Sequence, residues 1–191
     1  MTRAHALAVS LTLLTAGPGA GLGAALHAAP ARETVAGIVN FTPIDKNVTV
    51  GGALPPDAVA ELKRRGFKAV INLRKANEAN ANVEAEGEAV RAAGLKYIHL
   101  PLAPTDLYEA TAPQVDAFLK ALNDRSNWPV FIHSNQSHRP TGLLVIKRVL
   151  EDGWTLEKAY AAPDSQVLAD GSAGSKGIKD FAEKYLKAHG Q

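Results

Sequence analysis

The chain has 191 residues, of which 46% are hydrophobic and 21% are charged, and its formal net charge at pH 7 is +2. This length and balance are typical of one soluble globular domain, and the small net charge argues against a nucleic-acid-binding protein. The sequence contains no cysteine, which excludes a disulfide framework, cysteine metal sites and catalysis by a thiolate.

The first 31 residues have the layout of a secretory signal peptide. A basic residue, Arg3, precedes an apolar stretch at residues 6–16, and small residues follow as far as Ala31. The apolar stretch has about eleven residues, whereas a membrane-spanning helix needs roughly twenty. We therefore expect cleavage near residues 29–31, a secreted or periplasmic location and no stable membrane insertion afterwards; a permanent anchor is the alternative.

Residues 34–190 are expected to form one domain in which strands alternate with helices. Short apolar runs bounded by glycine or proline predict buried strands, and apolar residues at helical spacing predict helices. In chain order the predicted elements are a strand at 47–52, a helix at 55–66, a strand at 68–74, a helix at 83–94, a strand at 96–102, a helix at 111–124, a strand at 129–134, and helices at 140–153, 155–162 and 175–190.

This order predicts an α/β fold with a central, mostly parallel sheet of four or five strands that helices cover on both faces. Ligands are expected beyond the carboxyl ends of the strands. Thr111 and Gln114 have the spacing of a capping box, which predicts that the third helix begins at Thr111. Two polar segments, residues 77–88 and the glycine-rich residues 163–177, are expected to be solvated, the second as a mobile loop rather than a site.

A strand, a short loop of small polar residues and an apolar helix follow one another at residues 130–154. Such a loop presents backbone N–H groups and a helix dipole to one point, which is typical of a phosphate or sulfate site. Because many α/β proteins have a polar loop at this position without a ligand, a loop that binds nothing is the alternative.

The loop resembles the signature of the cysteine-dependent tyrosine and dual-specificity phosphatase superfamily, in which His-Cys is followed by five residues, Arg, Ser or Thr, and Gly. His133 matches the histidine, and Thr141 and Gly142 match the last two positions. The resemblance implies the phosphatase fold and a ligand that is phosphate, a phosphorylated small molecule or a phosphorylated protein. No cofactor is expected, and a metal site is not expected because His133 and His138 lie in one loop without a third ligand at a suitable spacing. The resemblance extends over residues 48–52, 66–74, 94–102, 115–122 and 151–161.

The chain departs from the signature at the residues that carry its chemistry. Ser134 occupies the position of the nucleophilic cysteine, and Pro140 occupies that of the phosphate-binding arginine. A bacterial branch has only four residues between cysteine and arginine, and on that pattern Arg139 takes the arginine position. Ser137 stands where the superfamily usually has glycine, which alters the curve of the loop if a positive φ is required.

Serine is a poor replacement for the cysteine nucleophile. A loop of N–H groups lowers the pKa of a thiol far enough to give a thiolate at neutral pH, but a hydroxyl cannot follow. Ser134 can still donate a hydrogen bond to a phosphate oxygen. We therefore expect binding by the loop to persist where turnover does not, and the expected phosphate-binding residues of the loop are Asn135, Gln136, Ser137, His138 and Arg139.

Four further side chains have candidate roles. The resemblance places Asp106 in the segment that carries the general acid, with a turn-forming aspartate as the alternative. Arg74 ends a predicted strand and is a candidate phosphate ligand or a surface ion-pair partner. His133 is expected to orient the loop, and His138, if it is a base for Ser134, lacks any orienting partner in the sequence.

Three functions remain open at this point. The favoured one is a pseudophosphatase that binds phosphate or a phosphorylated ligand at residues 134–139 with little or no turnover. The second is an active phosphoric monoester hydrolase in which Ser134 or water attacks and Asp106 is the acid. The third is a structural or interaction domain without an anion site.

Overall fold

The structure is a computed structural model that describes residues 33–103, 106 and 108–191. The signal peptide predicted at residues 1–31 lies outside the described residues. Within the described part of the chain, no helix has the length and the apolar character needed to cross a membrane.

The described residues form strands and helices in alternation. The strands are β1 (Glu33–Val35), β2 (Ile38–Pro43), β3 (Val48–Gly51), β4 (Ala69–Asn72), β5 (Lys96–His99) and β6 (Val130–His133). The helices are α1 (Ala58–Arg64), α2 (Val83–Ala92), α3 (Tyr108–Asn123), α4 (His138–Leu150), α5 (Leu156–Ala161) and α6 (Ala173–Ala188). Short 3-10 helices at Arg125–Asn127 and Pro163–Ala169 connect them.

The strands form one sheet in the order β1-β2-β3-β6-β4-β5. β3, β6, β4 and β5 are parallel to their neighbours, and β2 pairs with β3 in the antiparallel sense. The prediction of a mostly parallel sheet is therefore confirmed: the four predicted strands are parallel to one another, and β2 adds a fifth, antiparallel strand. β1 and β2, which the sequence did not predict, add an antiparallel hairpin at one edge.

Helices cover both faces of the sheet, as predicted. One apolar core lies between the sheet and α1 and α2, and Phe131 of β6 points into it. The other lies between the sheet and helices α3 to α6, and Ile132 points into that side. Adjacent residues of β6 thus enter opposite cores, which is the period of two of a strand buried on both faces.

Several helix ends follow the predicted signals. α1 and α2 are each followed by a glycine with positive φ, Gly66 at +84° and Gly94 at +74°, a conformation that costs glycine little. The predicted start of α3 is wrong: the helix begins at Tyr108, one turn before Thr111, and the Thr111 hydroxyl donates to the Ala103 carbonyl at 3.3 Å.

α4 also begins earlier than predicted, at His138, so that Pro140 is its third residue. At Gly142, α4 packs tightly against α6. A Cβ atom on Gly142 would overlap Ile178 Cγ1 of α6, so the absence of a side chain lets the two helix backbones pack closely.

Candidate anion-binding site

The carboxyl ends of three neighbouring strands lie side by side beneath the 134–139 loop. In the sheet register, His133 of β6 is opposite Gly51 of β3 on one side and opposite Asn72 of β4 on the other. Ser134 leaves the sheet directly after His133, is almost completely buried, and donates its backbone N–H to the Gly51 carbonyl at 3.3 Å. The loop therefore starts at the sheet edge where ligands were expected.

Two carbonyl groups of the loop accept hydrogen bonds from the segment after β3 and from β2. The Asn135 carbonyl accepts from the Ala53 N–H at 3.1 Å, and the Gln136 carbonyl accepts from Asn40 Nδ2 at 3.2 Å. Among the described residues, no acceptor is found for the backbone N–H groups of Asn135 and Gln136. The loop therefore has unpaired donors, as a nest for an anion requires.

Ser137 adopts the left-handed conformation, with φ +72° and ψ −4°, a region that glycine enters most readily. It lies at the N-cap of α4, is buried, and makes no side-chain capping bond. A β-carbon in this region costs about 1 to 2 kcal/mol. The loop thus keeps its turn despite the serine and carries local strain.

We expect the Ser137→Gly variant to be about 0.5 to 1 kcal/mol more stable, because relief of the left-handed strain exceeds the entropy that glycine loses on folding. Urea unfolding monitored by circular dichroism measures this change. Ser137→Ala is the control, since it keeps the β-carbon and removes only the hydroxyl. Equal stabilities for the glycine and alanine variants would mean that the β-carbon at position 137 causes no strain.

A cavity of about 510 Å³ opens beside the loop. The structure brings most of the predicted site residues to its wall, together with residues that the sequence did not suggest. The predicted ones are Asp106, Ser134, Asn135, Gln136, His138 and Arg139, and the additional ones include Lys75, Glu78, Ser172, Ala173, Gly174 and Gly177. Arg74, His133 and Ser137 are not among the described residues that line it.

Arg139 lines the cavity and is held there by several hydrogen bonds. Its Nη1 donates to Glu78 Oε1 at 2.5 Å and to the carbonyls of Leu73 and Leu102 at 2.8 and 3.0 Å, and its Nη2 donates to Glu78 Oε2 at 2.7 Å. These bonds engage the N–H groups of Nη1 and one N–H of Nη2. The N–H of Nε and the second N–H of Nη2 have no acceptor among the described residues, so one two-pronged edge stays available.

Glu78 is therefore the residue that fixes the arginine, although its segment, residues 77–88, was expected to be solvated. Burial raises the pKa of the Glu78 carboxyl, but hydrogen bonds from Arg139 and the Lys75 N–H outweigh burial and hold the pKa below its ordinary value. A lowered pKa means that the ion pair stabilises the fold above the ordinary carboxyl pKa and stops doing so as the pH falls through the lowered value.

Arg74 does not enter the cavity. Its guanidinium is buried and donates to the carbonyls of Ala79 and Asn80 at 2.7 and 3.2 Å, with Glu78 at 3.5 Å. These bonds brace the segment that presents Glu78 to Arg139. In this structure the candidate phosphate ligand has a supporting contact with the site and no direct one.

His133 lies below the loop in a buried polar network. Its Nε2 is 2.9 Å from Glu86 Oε1, which also accepts from Asn72 Nδ2 at 2.8 Å, while Asn72 Nδ2 is 2.9 Å from the Tyr97 hydroxyl. His133 is wholly buried, and its Nδ1 has no partner in the described part of the chain. Burial, with the nearby Glu86 charge, raises the pKa of Tyr97 above its ordinary value. The network fixes the ring directly before Ser134.

His138 has an orienting partner that the sequence did not reveal. Its Nε2 is 2.7 Å from Asp170 Oδ2, and Asp170 Oδ1 accepts from the Ser172 N–H at 2.9 Å. Asp170 belongs to residues 163–177, and the prediction of a loop is wrong for most of this segment. This segment forms a 3-10 helix with buried Asp164 and then starts α6 against the cavity.

Each basic side chain on the described cavity wall has a carboxylate partner. Lys75 Nζ is 2.8 Å from Asp106 Oδ2, which adds to the pairs of Arg139 with Glu78 and His138 with Asp170. Asp106 must therefore bind a proton and release Lys75 before it can act as an acid. The sequence suggested Asp106, His138 and Arg139, but none of their three partners.

Residues 33–175 match the family model described as a DSP-PTPase phosphatase fused to NAD+ kinase. Among curated proteins, a beta-lactamase hydrolase-like protein of Xylella fastidiosa (strain Temecula1) is 28% identical over 110 residues, which are 56% of this chain and 25% of that protein. The match thus spans about a quarter of the length of this relative.

Solved structures share the fold. A proposed phosphatase from Shewanella putrefaciens CN-32 superposes with a TM-score of 0.63 at 18% identity, over 78% of this chain and 89% of that chain. TpbA from P. aeruginosa, in a cysteine-to-serine variant in complex with phosphotyrosine, gives a TM-score of 0.55 at 18% identity, over 78% and 83% of the two chains.

Proposed function

Because the chain belongs to the DSP-PTPase phosphatases, we propose that it is an exported phosphatase-like protein whose 134–139 loop binds phosphate or the phosphoryl group of a larger ligand, with little or no turnover. The observation that carries the proposal is the hydrogen bonding of the Arg139 guanidinium. Glu78 clamps one edge of the guanidinium and leaves the edge formed by Nε and Nη2 without a partner.

The available edge of Arg139 suits an oxyanion. A guanidinium edge gives two parallel N–H donors at the spacing of two oxygens of a phosphate or sulfate, and such paired, charge-assisted bonds are among the strongest in proteins. The unpaired N–H groups of Asn135 and Gln136 belong to the same loop. An arginine held by two carbonyls and a carboxylate loses little conformational entropy on binding, which favours affinity.

Slow or absent turnover follows from Ser134. A hydroxyl becomes a nucleophile when a base removes its proton, as in a serine–histidine pair. Among the described residues, no hydrogen bond joins the Ser134 hydroxyl to a basic group, and the nearby His138 is bonded to Asp170 through Nε2. The TpbA complex is a relative in which a cysteine-to-serine change accompanies bound phosphotyrosine, which supports ligand binding without cysteine.

A thermal melt of residues 32–191 with phosphate, tungstate or vanadate at fixed ionic strength tests this proposal. Ligand at 100 times its dissociation constant should add about 2.7 kcal/mol, a rise in Tm of roughly 5 to 10 °C. Arg139→Gln should abolish the rise. Arg64→Gln, which removes an arginine whose side chain is 72% exposed, should retain it. No rise with any oxyanion would favour a domain without an anion site.

The rival function, an active hydrolase, predicts release of phosphate from an aryl phosphate and loss of that release in Asp106→Asn. The proposed binder predicts no release above background by the natural sequence. In the Ser134→Cys variant, release would show that the fold retains the rest of the catalytic geometry. Release by the natural chain that depends on Asp106 would overturn the proposal of low turnover.

A further inference from the structure

The pair formed by His138 and Asp170 extends the anion site beyond the signature loop. His138 is in the first turn of α4, and its side chain is 12% exposed and lines the cavity with Ser134 and Arg139. Asp170 lies between the 3-10 helix Pro163–Ala169 and α6, directly before the residues Ser172, Ala173 and Gly174 that line the cavity. The pair therefore joins the beginnings of the two helices that border the cavity.

Asp170 is an ionised partner for His138 that Ser172 holds by hydrogen bonds. The N–H and hydroxyl of Ser172 hold the pKa of the Asp170 carboxyl well below its ordinary value. Ser172 in turn is the N-cap of α6, where its hydroxyl accepts from the Ser175 N–H at 3.1 Å. The carboxylate thus keeps its negative charge and its position 2.7 Å from His138 Nε2.

The hydrogen bond from Nε2 to Asp170 also sets the position of the other ring nitrogen, Nδ1. His138 Nδ1 lies against Gly174, where an added Cβ would come within 3.0 Å of it. Gly174 itself lines the cavity. The absence of a side chain at Gly174 leaves Nδ1 uncovered on this wall, so a protonated ring can offer a second N–H donor there.

We propose that Asp170 positions His138 as a protonated, charged ligand for the oxyanion, so that the cavity binds oxyanions more tightly when His138 carries its proton. This inference rests on the proposed function of the same cavity. It adds a binding pair that the signature resemblance does not contain and makes oxyanion affinity depend on pH near neutrality, where histidine changes its charge.

The charges around His138 act in both directions. The start of its own helix, the start of α6 and the neighbouring Arg139 and Lys75 disfavour the protonated ring. Asp170 in direct contact favours it, as do Glu78 and Asp106 on the cavity wall. Glu78 and Asp106 are themselves paired with Arg139 and Lys75.

Calorimetric titration with sulfate from about pH 5.5 to about pH 8.5 at constant ionic strength tests the inference, because sulfate keeps the same charge over this range. We expect the sulfate affinity of the natural chain to fall about tenfold with rising pH, since one positive charge near the anion is lost. His138→Gln should bind with the weaker affinity at every pH. Asp170→Asn should move the fall to lower pH, whereas Arg64→Gln should follow the natural profile.

The outcomes separate this inference from the function on which it rests. Sulfate binding that depends on Arg139 but has the same pH profile in the natural chain and in His138→Gln would overturn the role of His138 and leave the proposed function in place. The absence of sulfate binding at every pH would overturn both. A purely structural role for Asp170 would lower stability without moving the pH profile in Asp170→Asn.

Discussion

The Gly142→Ala variant is expected to lose about 2 kcal/mol of unfolding free energy. Its new Cβ would overlap Ile178 Cγ1, and both residues are completely buried in the contact of α4 with α6. Forcing a methyl group into a packed core costs up to about 3 kcal/mol, and the better helix propensity of alanine offsets about 1 kcal/mol of that cost. Without the overlap the substitution would be stabilising. The sign of the change in unfolding free energy therefore shows whether the overlap is present.

Urea unfolding of Gly142→Ala, Ile178→Ala and the double variant measures the interaction. Ile178→Ala removes the atom that the new methyl group meets and on its own costs about 2 to 4 kcal/mol. The double variant should be more stable than the sum of the two single losses predicts. Additive losses would mean that the helices relax apart at this point and that Gly142 does not set their separation.

The second large effect is expected for Glu86→Ala, which should lose about 3 kcal/mol. Glu86 Oε1 is the partner of His133 Nε2, and His133 is wholly buried with Nδ1 already lacking a partner among the described residues. The variant would newly leave Nε2 without a hydrogen bond, and a buried polar group that loses its partner costs up to about 3 kcal/mol. Asn72 would keep the Tyr97 hydroxyl as a partner.

Glu86→Gln is the matched control, because its amide oxygen can still accept from His133. Its loss, measured by the same unfolding experiment, should be about 1 kcal/mol, since a charged acceptor is replaced by a neutral one. Sulfate affinity at one pH should fall in the alanine variant, because His133 directly precedes Ser134. Equal losses in the two variants would show that the negative charge, rather than the acceptor oxygen, supports His133.

The parts of the fold that local sequence controls could be predicted. Apolar runs gave β3, β4, β5 and β6, and glycines gave the ends of α1 and α2, because each signal lies within a few residues of the element it defines. β1 and β2 were missed. Ala36 and Asn40 have positive φ in this hairpin. At such positions the backbone leaves the regular strand conformation, so the side chains do not alternate between the two faces as a strand pattern requires.

The candidate site could likewise be predicted only in part. The 134–139 loop is one continuous segment, so its position and its serine could be read in order. The partners of its side chains come from distant segments: Glu78 is 61 residues from Arg139, and Asp170 is 32 residues from His138. Both carboxylates lie in stretches rich in polar residues, where pattern alone does not separate a solvated acid from one that folding brings against an arginine or histidine.

For the proposed binding of anions, the pairing of Lys75, His138 and Arg139 with three carboxylates has a consequence for the rate of association. With the histidine protonated, the positive and negative charges at the cavity balance, and their fields cancel a few ångströms away. A cavity with balanced charges does not attract anions over long distances, whereas a cleft with a net positive charge does. Encounter then proceeds by ordinary diffusion, nearly independent of salt, and discrimination among anions arises only after contact, where the donors of the loop are within reach.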